Sequence, residues 1–158
     1  MTDTPEIASS LTPLQQARRA AMAICAEATR EELETVVAAV GYPGAVAILR
    51  RPETGLVLVR GRAGGDGDAF NLGEMTLTRC VVRLDDGVEG YAWTPGRDGA
   101  RTRAAAIIDA LVQSPTHASD LDAAMTPVRQ RLADDLAVAE SRTAATRVNF
   151  FTMVRGED

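Results

Sequence analysis

The sequence predicts an α+β domain made of an N-terminal helical hairpin, a four-stranded antiparallel sheet, C-terminal helices and a final strand-like tail. Three observations support this prediction. Capping boxes at Thr12–Gln15 and Thr29–Glu32 each open a segment of helical period. Asp86–Gly87 lies between two β-prone runs, which is the strongest short-range hairpin signal. Thr126–Pro127 repeats the helix-start signal of Thr12–Pro13.

With 158 residues the chain is long enough for one domain with a substantial core. We assign residues 1–10 to a flexible tail and residues 11–158 to a single domain. Gly41 is placed to end the second helix in a left-handed conformation. The apolar positions of the first two helices are Leu14, Ala17, Ala21, Ile24, Leu33, Val36, Val37 and Val40.

Four β-prone runs follow, and they predict an antiparallel meander. The first two are Ala45–Arg50 and Leu56–Arg62, with Arg51–Gly55 as a connecting turn. Gly61–Gly67 contains four glycines and is expected to be a flexible strand connection, because a phosphate-binding loop would lead into a helix. Phe70 is expected to anchor the exit of this loop to the core.

The third and fourth runs, Met75–Leu84 and Val88–Trp93, are compatible with two registers. We prefer a two-residue loop at Asp86–Gly87, because it puts both aromatic rings on the core side with Cys80. It gives the pairs Cys80–Trp93, Val82–Tyr91 and Arg83–Gly90. A three-residue loop that includes Asp85 gives the pairs Val81–Tyr91 and Arg79–Trp93. The apolar face of the third run changes sides near Arg79, which indicates a β-bulge or a strand covered on both faces.

Two further helices are predicted after the sheet. Asp98 is placed to cap the first, and Pro115 follows its end. Ser119–Met125 reads as a short helical turn, and a long helix is expected from Thr126–Pro127 to about Ala145. The inward positions of the two helices are Ala104, Ile107, Ile108, Leu111, Val112, Leu132, Leu136 and Ala139, and Arg131 with Asp135 is expected to form an exposed pair.

The final run, Arg147–Arg155, has strand propensity and apolar residues on both faces. It contains Phe150 and Phe151, two of the three Phe residues of the chain. Because chain ends are usually polar, this run is expected to be covered. It is either a further strand of this sheet or a strand that packs against another chain.

Composition excludes some classes of function. The net charge of −5 argues against a general nucleic-acid binder, which needs a concentrated basic surface. The 17 basic residues are all Arg. Cys25 and Cys80 lie among apolar residues and are expected to be buried thiols in a reducing compartment. The sequence shows neither a signal peptide nor an apolar run of membrane-spanning length, so we expect a cytoplasmic protein.

No catalytic residue and no metal site are predicted. His117 is the single histidine, in a polar stretch before a helix, and it gives neither a catalytic triad nor zinc-ligand spacing. Glu53 and Glu74 are the least explained carboxylates, and we expect each to be solvated or paired with Arg. Four Arg residues lie on otherwise apolar strands, where a buried guanidinium needs an anionic partner. They are Arg79, Arg83, Arg147 and Arg155.

Several stretches of the chain resemble the PhnG family. They are Glu53–Val57, Gly64–Gly65, Thr76–Arg79, Val82–Leu84, Gly96–Asp98, Asp109–Leu111 and, most specifically, Arg147–Gly156. The resemblance runs in order from about Arg19 to the end of the sequence. Family members have a bulkier first helix, where this chain has Met22, Cys25 and Ala26.

The resemblance implies a subunit of the carbon–phosphorus lyase core complex of phosphonate degradation. Its partners would be PhnH, PhnI and PhnJ in a two-fold core, with the ATP-binding-cassette protein PhnL associated. The complex would transfer the ribose triphosphate of ATP onto an alkylphosphonate with release of adenine. No cofactor is implied for this chain, because the iron–sulfur cluster and S-adenosylmethionine belong to PhnJ.

The resemblance carries over no catalytic residue, and the nucleosidase-like chemistry is attributed to PhnI. We expect a structural or regulatory subunit that is not catalytic as an isolated chain. The alternative is that Arg or Glu residues of this chain complete the active site of PhnI. The residues expected to contact partners or a ligand are Arg79, Arg83, Arg147, Phe150, Phe151, Met153 and Arg155.

Overall fold

The computed structural model describes residues 11–64 and 67–146, which form four helices and a three-stranded antiparallel sheet. In chain order the elements are α1 Pro13–Glu27, α2 Arg30–Val40, β1 Val46–Arg62, β2 Ala69–Leu84, β3 Glu89–Pro95, α3 Gly99–Gln113 and α4 Ala118–Ala145. The α+β class is confirmed for this part of the chain. The predicted tail at residues 1–10 and the final run lie outside the described residues.

The helix starts follow the local sequence signals. The Thr12 hydroxyl accepts a hydrogen bond from the Gln15 backbone N–H, and the Gln15 side chain accepts one from the Thr12 backbone N–H at 2.8 Å. Thr29 and Glu32 form the same reciprocal box at the start of α2. Gly41 ends α2 with φ at 61°, as predicted. Each capping box satisfies backbone donors that would otherwise have no partner in the helix.

The prediction of four strands was wrong, because the first two predicted strands are one. β1 continues through Arg51–Gly55, where the sequence indicated a turn. Its register with β2 shifts between Ile48 and Arg50 and again between Arg50 and Glu53. Pro52 lies within this irregular stretch of an edge strand, where its missing N–H disrupts no regular ladder. The turn residues therefore mark bulges rather than the end of the strand.

The preferred hairpin register was also wrong, and the three-residue loop is the one observed. β2 pairs with β3 as Arg79–Trp93, Val81–Tyr91 and Arg83–Glu89. The Gly87 N–H donates to the Leu84 carbonyl at 3.0 Å, and Gly87 has φ at 89°. Asp86 Oδ1 accepts from the Val88 N–H at 3.0 Å. This register puts Gly90 and Ala92 on the core side and Tyr91 and Trp93 on the opposite face of the sheet.

α3 lies at the centre of the domain and contacts all three strands and the other three helices. Every residue from Ala104 to Leu111 is buried, because helices and sheet surround this stretch. The second half of β2 alternates regularly against α3, with Thr78, Cys80, Val82 and Leu84 buried. Phe70 does not reach this core, since 48% of its surface is exposed. The expectation that it anchors the loop exit was wrong.

α4 is one helix of 28 residues with Pro127 inside it, rather than a short turn followed by a second helix. Thr126 does not cap, because its hydroxyl donates to the Asp122 carbonyl one turn earlier. From Ala133 to Ala145 every residue is exposed, so this stretch extends about 20 Å beyond the body. Leu136 and Ala139 were therefore wrongly predicted to face inward. None of the described helices has both the length and the apolar composition that crossing a bilayer requires.

The close approach of α3 to Gly90 predicts that Gly90→Ala strongly lowers the stability of the fold. A Cβ at Gly90 would lie 2.0 Å from the Ala106 carbonyl oxygen and 2.7 Å from the Ala110 nitrogen, both in the backbone of α3. We expect this variant to lose about 3 kcal/mol of unfolding free energy in urea denaturation. Gly55→Ala is the matched control, since no neighbouring atom lies within 4 Å of the point that its methyl group would occupy. A loss below about 0.5 kcal/mol for Gly90→Ala would contradict this packing.

Candidate partner-binding surface

The face of the sheet opposite α3 is uncovered among the described residues. It carries Arg79 and Arg83 on β2 and Tyr91 and Trp93 on β3, all exposed. Strand residues at alternate positions share one face, so these four side chains form one continuous surface. The two strand-borne Arg residues that the structure describes therefore lie beside the two aromatic rings.

Arg79 is held by a carboxylate of the same chain. Its NH2 lies 3.1 Å from Glu53 Oε2, and Arg50 NH1 lies 3.0 Å from the same oxygen. These two hydrogen bonds lower the pKa of the Glu53 carboxyl below its ordinary value, so Glu53 is ionised at neutral pH. The expectation of an Arg-paired carboxylate is confirmed for Glu53. A carboxylate held ionised in this way is unsuited to act as a general acid.

Arg83 has an equivalent partner directly across the hairpin. Its NH2 lies 2.6 Å from Glu89 Oε1, and the Tyr91 hydroxyl donates to the other oxygen of Glu89. The hydrogen bond from Tyr91, followed by that from Arg83, lowers the pKa of Glu89. The same contact raises the pKa of Tyr91. Both Arg residues are thus neutralised within this chain.

Trp93 is the most exposed aromatic ring of the described sheet, with 58% of its surface accessible. It stacks on Tyr91 with ring centroids 6.3 Å apart and planes 9° from parallel. A cavity of about 300 Å³ lies beside it, between Leu77, Val57 and the Arg79–Glu53 pair. Trp, Tyr and Arg are the residue types enriched at the energetic centres of protein interfaces. This surface therefore has the composition of a partner contact.

An ion pair between a half-buried Arg and a buried Asp fixes β3 from the other side. Asp109 of α3 is only 2% exposed, and its two oxygens accept from Arg18 Nε at 2.9 Å and Arg18 NH2 at 2.7 Å. Asp109 Oδ2 also accepts from the Tyr91 backbone N–H at 2.9 Å. This contact, which we call the Asp109 clasp, joins α1, α3 and β3. Above it lies a cavity of about 320 Å³ that Met22 and Trp93 help to line.

Sequence reasoning missed the clasp. The available signal was an acidic residue inside the apolar run from Ala104 to Val112, which requires a cationic partner once the helix is buried. The partner, Arg18, lies 91 positions away, and local pattern does not identify it.

The other titratable candidates do not converge on a reaction centre. Glu74 is exposed opposite Leu58 on the sheet. His117 precedes α4 and contacts the Tyr42 ring edge-on, with centroids 5.1 Å apart. Within residues 11–64 and 67–146, no group of three or more His, Cys, Asp or Glu side chains is placed to hold a metal ion. The candidates Arg147, Phe150, Phe151, Met153 and Arg155 lie outside the described residues.

Comparison with known proteins identifies the family. Residues 16–156 match the sequence family described as "Phosphonate metabolism protein PhnG". The chain belongs to the PhnG family. It is 52% identical over 142 residues to the "Alpha-D-ribose 1-methylphosphonate 5-triphosphate synthase subunit PhnG" of Rhizobium meliloti (strain 1021). The aligned residues cover 89% of this chain and 90% of that relative. The resemblance to PhnG proteins that the sequence stretches indicated is confirmed.

The Asp109 clasp predicts that Asp109→Asn destabilises this PhnG family member. The substitution leaves a partly buried guanidinium without its carboxylate, so we expect a loss of about 2–3 kcal/mol in urea denaturation. Asp122→Asn is the matched control. It breaks an Arg–Asp pair of the same length, 2.7 Å, whose carboxylate is 73% exposed, and should cost below about 0.5 kcal/mol. Equal losses for the two variants would show that the clasp adds nothing beyond a surface pair.

The buried thiols predict slow alkylation of the native chain. Burial raises the pKa of Cys25 to about 12 and also raises the pKa of Cys80. Because the thiolate is the reacting species, both residues should resist iodoacetamide at pH 8 and react fully in denaturant, as measured by intact mass. Rapid modification of either thiol in the folded chain would contradict this burial.

Proposed function

We propose that this chain is a subunit of an alpha-D-ribose 1-methylphosphonate 5-triphosphate synthase complex and that its role is assembly. The observation that supports this role best is the stacked Tyr91–Trp93 pair on the uncovered face of the sheet. An exposed Trp that stacks on a Tyr beside a cavity is typical of a surface that a partner covers. The Rhizobium meliloti relative is named as a subunit of that synthase.

The assembled complex, in this proposal, transfers the ribose triphosphate of ATP onto an alkylphosphonate with release of adenine. The partners are PhnH, PhnI and PhnJ, with PhnL associated. The iron–sulfur cluster and S-adenosylmethionine remain with PhnJ, and this chain holds no cofactor of its own. This chain is not the catalytic subunit.

The exposed end of α4 also supports a subunit role. Residues 133–145 form more than three helical turns that lack cover from the described body. Isolated helices of this length are marginal in water, and Leu136 and Val138 are 60% and 50% exposed. A partner that covers this stretch would supply the packing that it lacks.

The alternative, that Arg or Glu residues of this chain complete the active site of PhnI, is less well supported. Arg79 is paired with Glu53 and Arg83 with Glu89. A residue that binds a phosphate in a partner's site would have to break its own ion pair first. The geometry favours a scaffold over a contribution to catalysis.

The proposal predicts that Trp93→Ala weakens assembly. In co-expression with the other subunits, we expect the affinity of this chain for the complex to fall by about tenfold or more, because Trp anchors carry a large share of interface energy. The measurement is the fraction of the chain recovered on a tagged partner. Leu14→Ala, at a half-exposed position of α1, is the matched control and should assemble normally.

Turnover of the purified complex separates the two roles. Arg79→Gln and Arg83→Gln should leave the rate per assembled complex unchanged if this chain is a scaffold. A loss of turnover with assembly intact would favour the alternative. If the wild-type chain remains a monomer and never co-purifies with a partner, the subunit proposal itself is wrong.

A further inference from the structure

Part of the sheet projects beyond the body as a two-stranded arm, which we define as residues 55–62 and 69–77. β3 ends at Pro95, opposite Leu77, so β1 and β2 have only each other as neighbours from there to the loop. Every residue of the arm is exposed or half-exposed. A ribbon of two strands is marginally stable in water without cover.

The first face of the arm continues the uncovered face of the sheet. Val57 lies opposite Met75 and shares a side with Leu77. Nearer the loop, the Leu72 side chain covers Gly61. A Cβ built on this glycine would lie only 2.6 Å from Leu72 Cδ1. Phe70 lies opposite Gly61 on the same side. An apolar strip therefore runs from Trp93 to the end of the arm.

Near the body the second face carries two Leu residues of β1 and, opposite Leu58, the exposed carboxylate of Glu74 on β2. Leu56 and Leu58 point away from the first face and are 63% and 62% exposed. Together with Val57 and Val59 they make four consecutive apolar residues in one strand. Strands that are apolar at every position are typical of strands covered on both faces, whereas a strand with one wet face alternates. The sequence of β1 thus indicates cover on both sides.

Charge distinguishes the outer part of the second face. Arg60 and Arg62 lie on the same face of β1 as Leu56 and Leu58 but nearer the loop, and both are exposed. Arg62 NH1 donates to the Gly67 carbonyl at 3.1 Å, which orients the guanidinium and leaves its other donors available. A matching surface is therefore apolar beside Leu56 and Leu58, supplies a hydrogen-bond donor to Glu74 and is acidic beside the two Arg residues.

The dimensions of the arm argue against a second copy of this chain as the occupant. The arm is about 25 Å long and about 10 Å thick, so its volume is on the order of 2,000 Å³. The cavity at the end of α4, about 670 Å³ and open to solvent, is about a third of this volume. A second copy that packs its own uncovered sheet face on the arm would cover one face of the arm at most.

We infer that the arm inserts into a cleft of another subunit of the synthase. One wall of this cleft is apolar along its length. The other wall combines apolar groups with a hydrogen-bond donor for Glu74 at the mouth and is acidic at the inner end. This inference rests on the proposed function. It goes beyond that function by naming the arm as the element that docks. It also requires that both faces of the arm are buried at once.

The experiment places one charge on each face of the arm in the full chain, co-expressed with the other subunits. Met75→Glu changes the first face and Leu58→Glu the second. Each should lower the recovery of the chain on a tagged partner by about tenfold or more, because a carboxylate would be buried against apolar atoms. Leu14→Glu on α1 is the matched control and should leave recovery within about twofold. Thermal unfolding of each purified variant should match the wild type, since both positions are exposed.

Hydrogen exchange supplies a second measurement that needs no substitution. The backbone amides of residues 55–62 and 69–77 should exchange more slowly in the wild-type complex than in the free chain.

Normal recovery of Leu58→Glu with loss of Met75→Glu would show a one-sided contact and overturn the cleft. So would equal exchange of the arm in the two states, or a homodimer of the free chain that both substitutions dissociate. If the wild type assembles and both variants do too, only this inference fails; if the wild type does not assemble, the subunit role fails with it.

Discussion

The close approach of α3 to β3 is the constraint on which the rest of this structure depends. At Gly90 the backbone of α3 comes so near that no side chain fits, and Ala106 and Ala110 are the helix residues at the contact. This contact determines the register of the hairpin, because only the three-residue loop places Gly90 and Ala92 against the helix. The aromatic residues of β3 then have to face outward. The exposed Tyr91–Trp93 pair is thus a consequence of core packing.

The same helix also covers the outer edge of β3. The Leu84 N–H donates to the Val88 carbonyl, and the Gly96 N–H donates to the Thr76 carbonyl. The even-numbered residues of β3 therefore pair with β2, and the odd-numbered residues direct their backbone N–H and C=O groups toward the outer edge. The Tyr91 N–H donates to Asp109, and the Glu89 carbonyl accepts from Gln113 Nε2 at 2.7 Å. Side chains of α3 therefore occupy part of an edge that would otherwise be open to strand pairing.

Local signals predicted the parts of the fold that depend on neighbours in sequence. The capping boxes, the left-handed Gly41, the Asp98 cap and the Arg131–Asp135 pair were all correct, because each involves residues within four positions. The hairpin register depends instead on Gly90 meeting α3, and the Asp109 clasp joins residues 91 positions apart. β1 was divided in two because Pro52 and Gly55 are turn residues in most contexts. Pairing with β2 overrides that local preference and converts the turn into bulges.

The ion pairs of the uncovered face bear on how it meets a partner. An unpaired Arg that becomes buried on docking loses its hydration and needs an anion from the partner. Arg79 and Arg83 already have Glu53 and Glu89 as partners, and the hydrogen bonds that these carboxylates accept lower their pKa values. A partner that covers this face therefore meets apolar rings between neutralised pairs. Its affinity would come from Trp93, Tyr91 and the apolar strip, while the pairs restrict which surfaces fit. The anionic partners that the sequence called for at Arg79 and Arg83 are thus found within this chain.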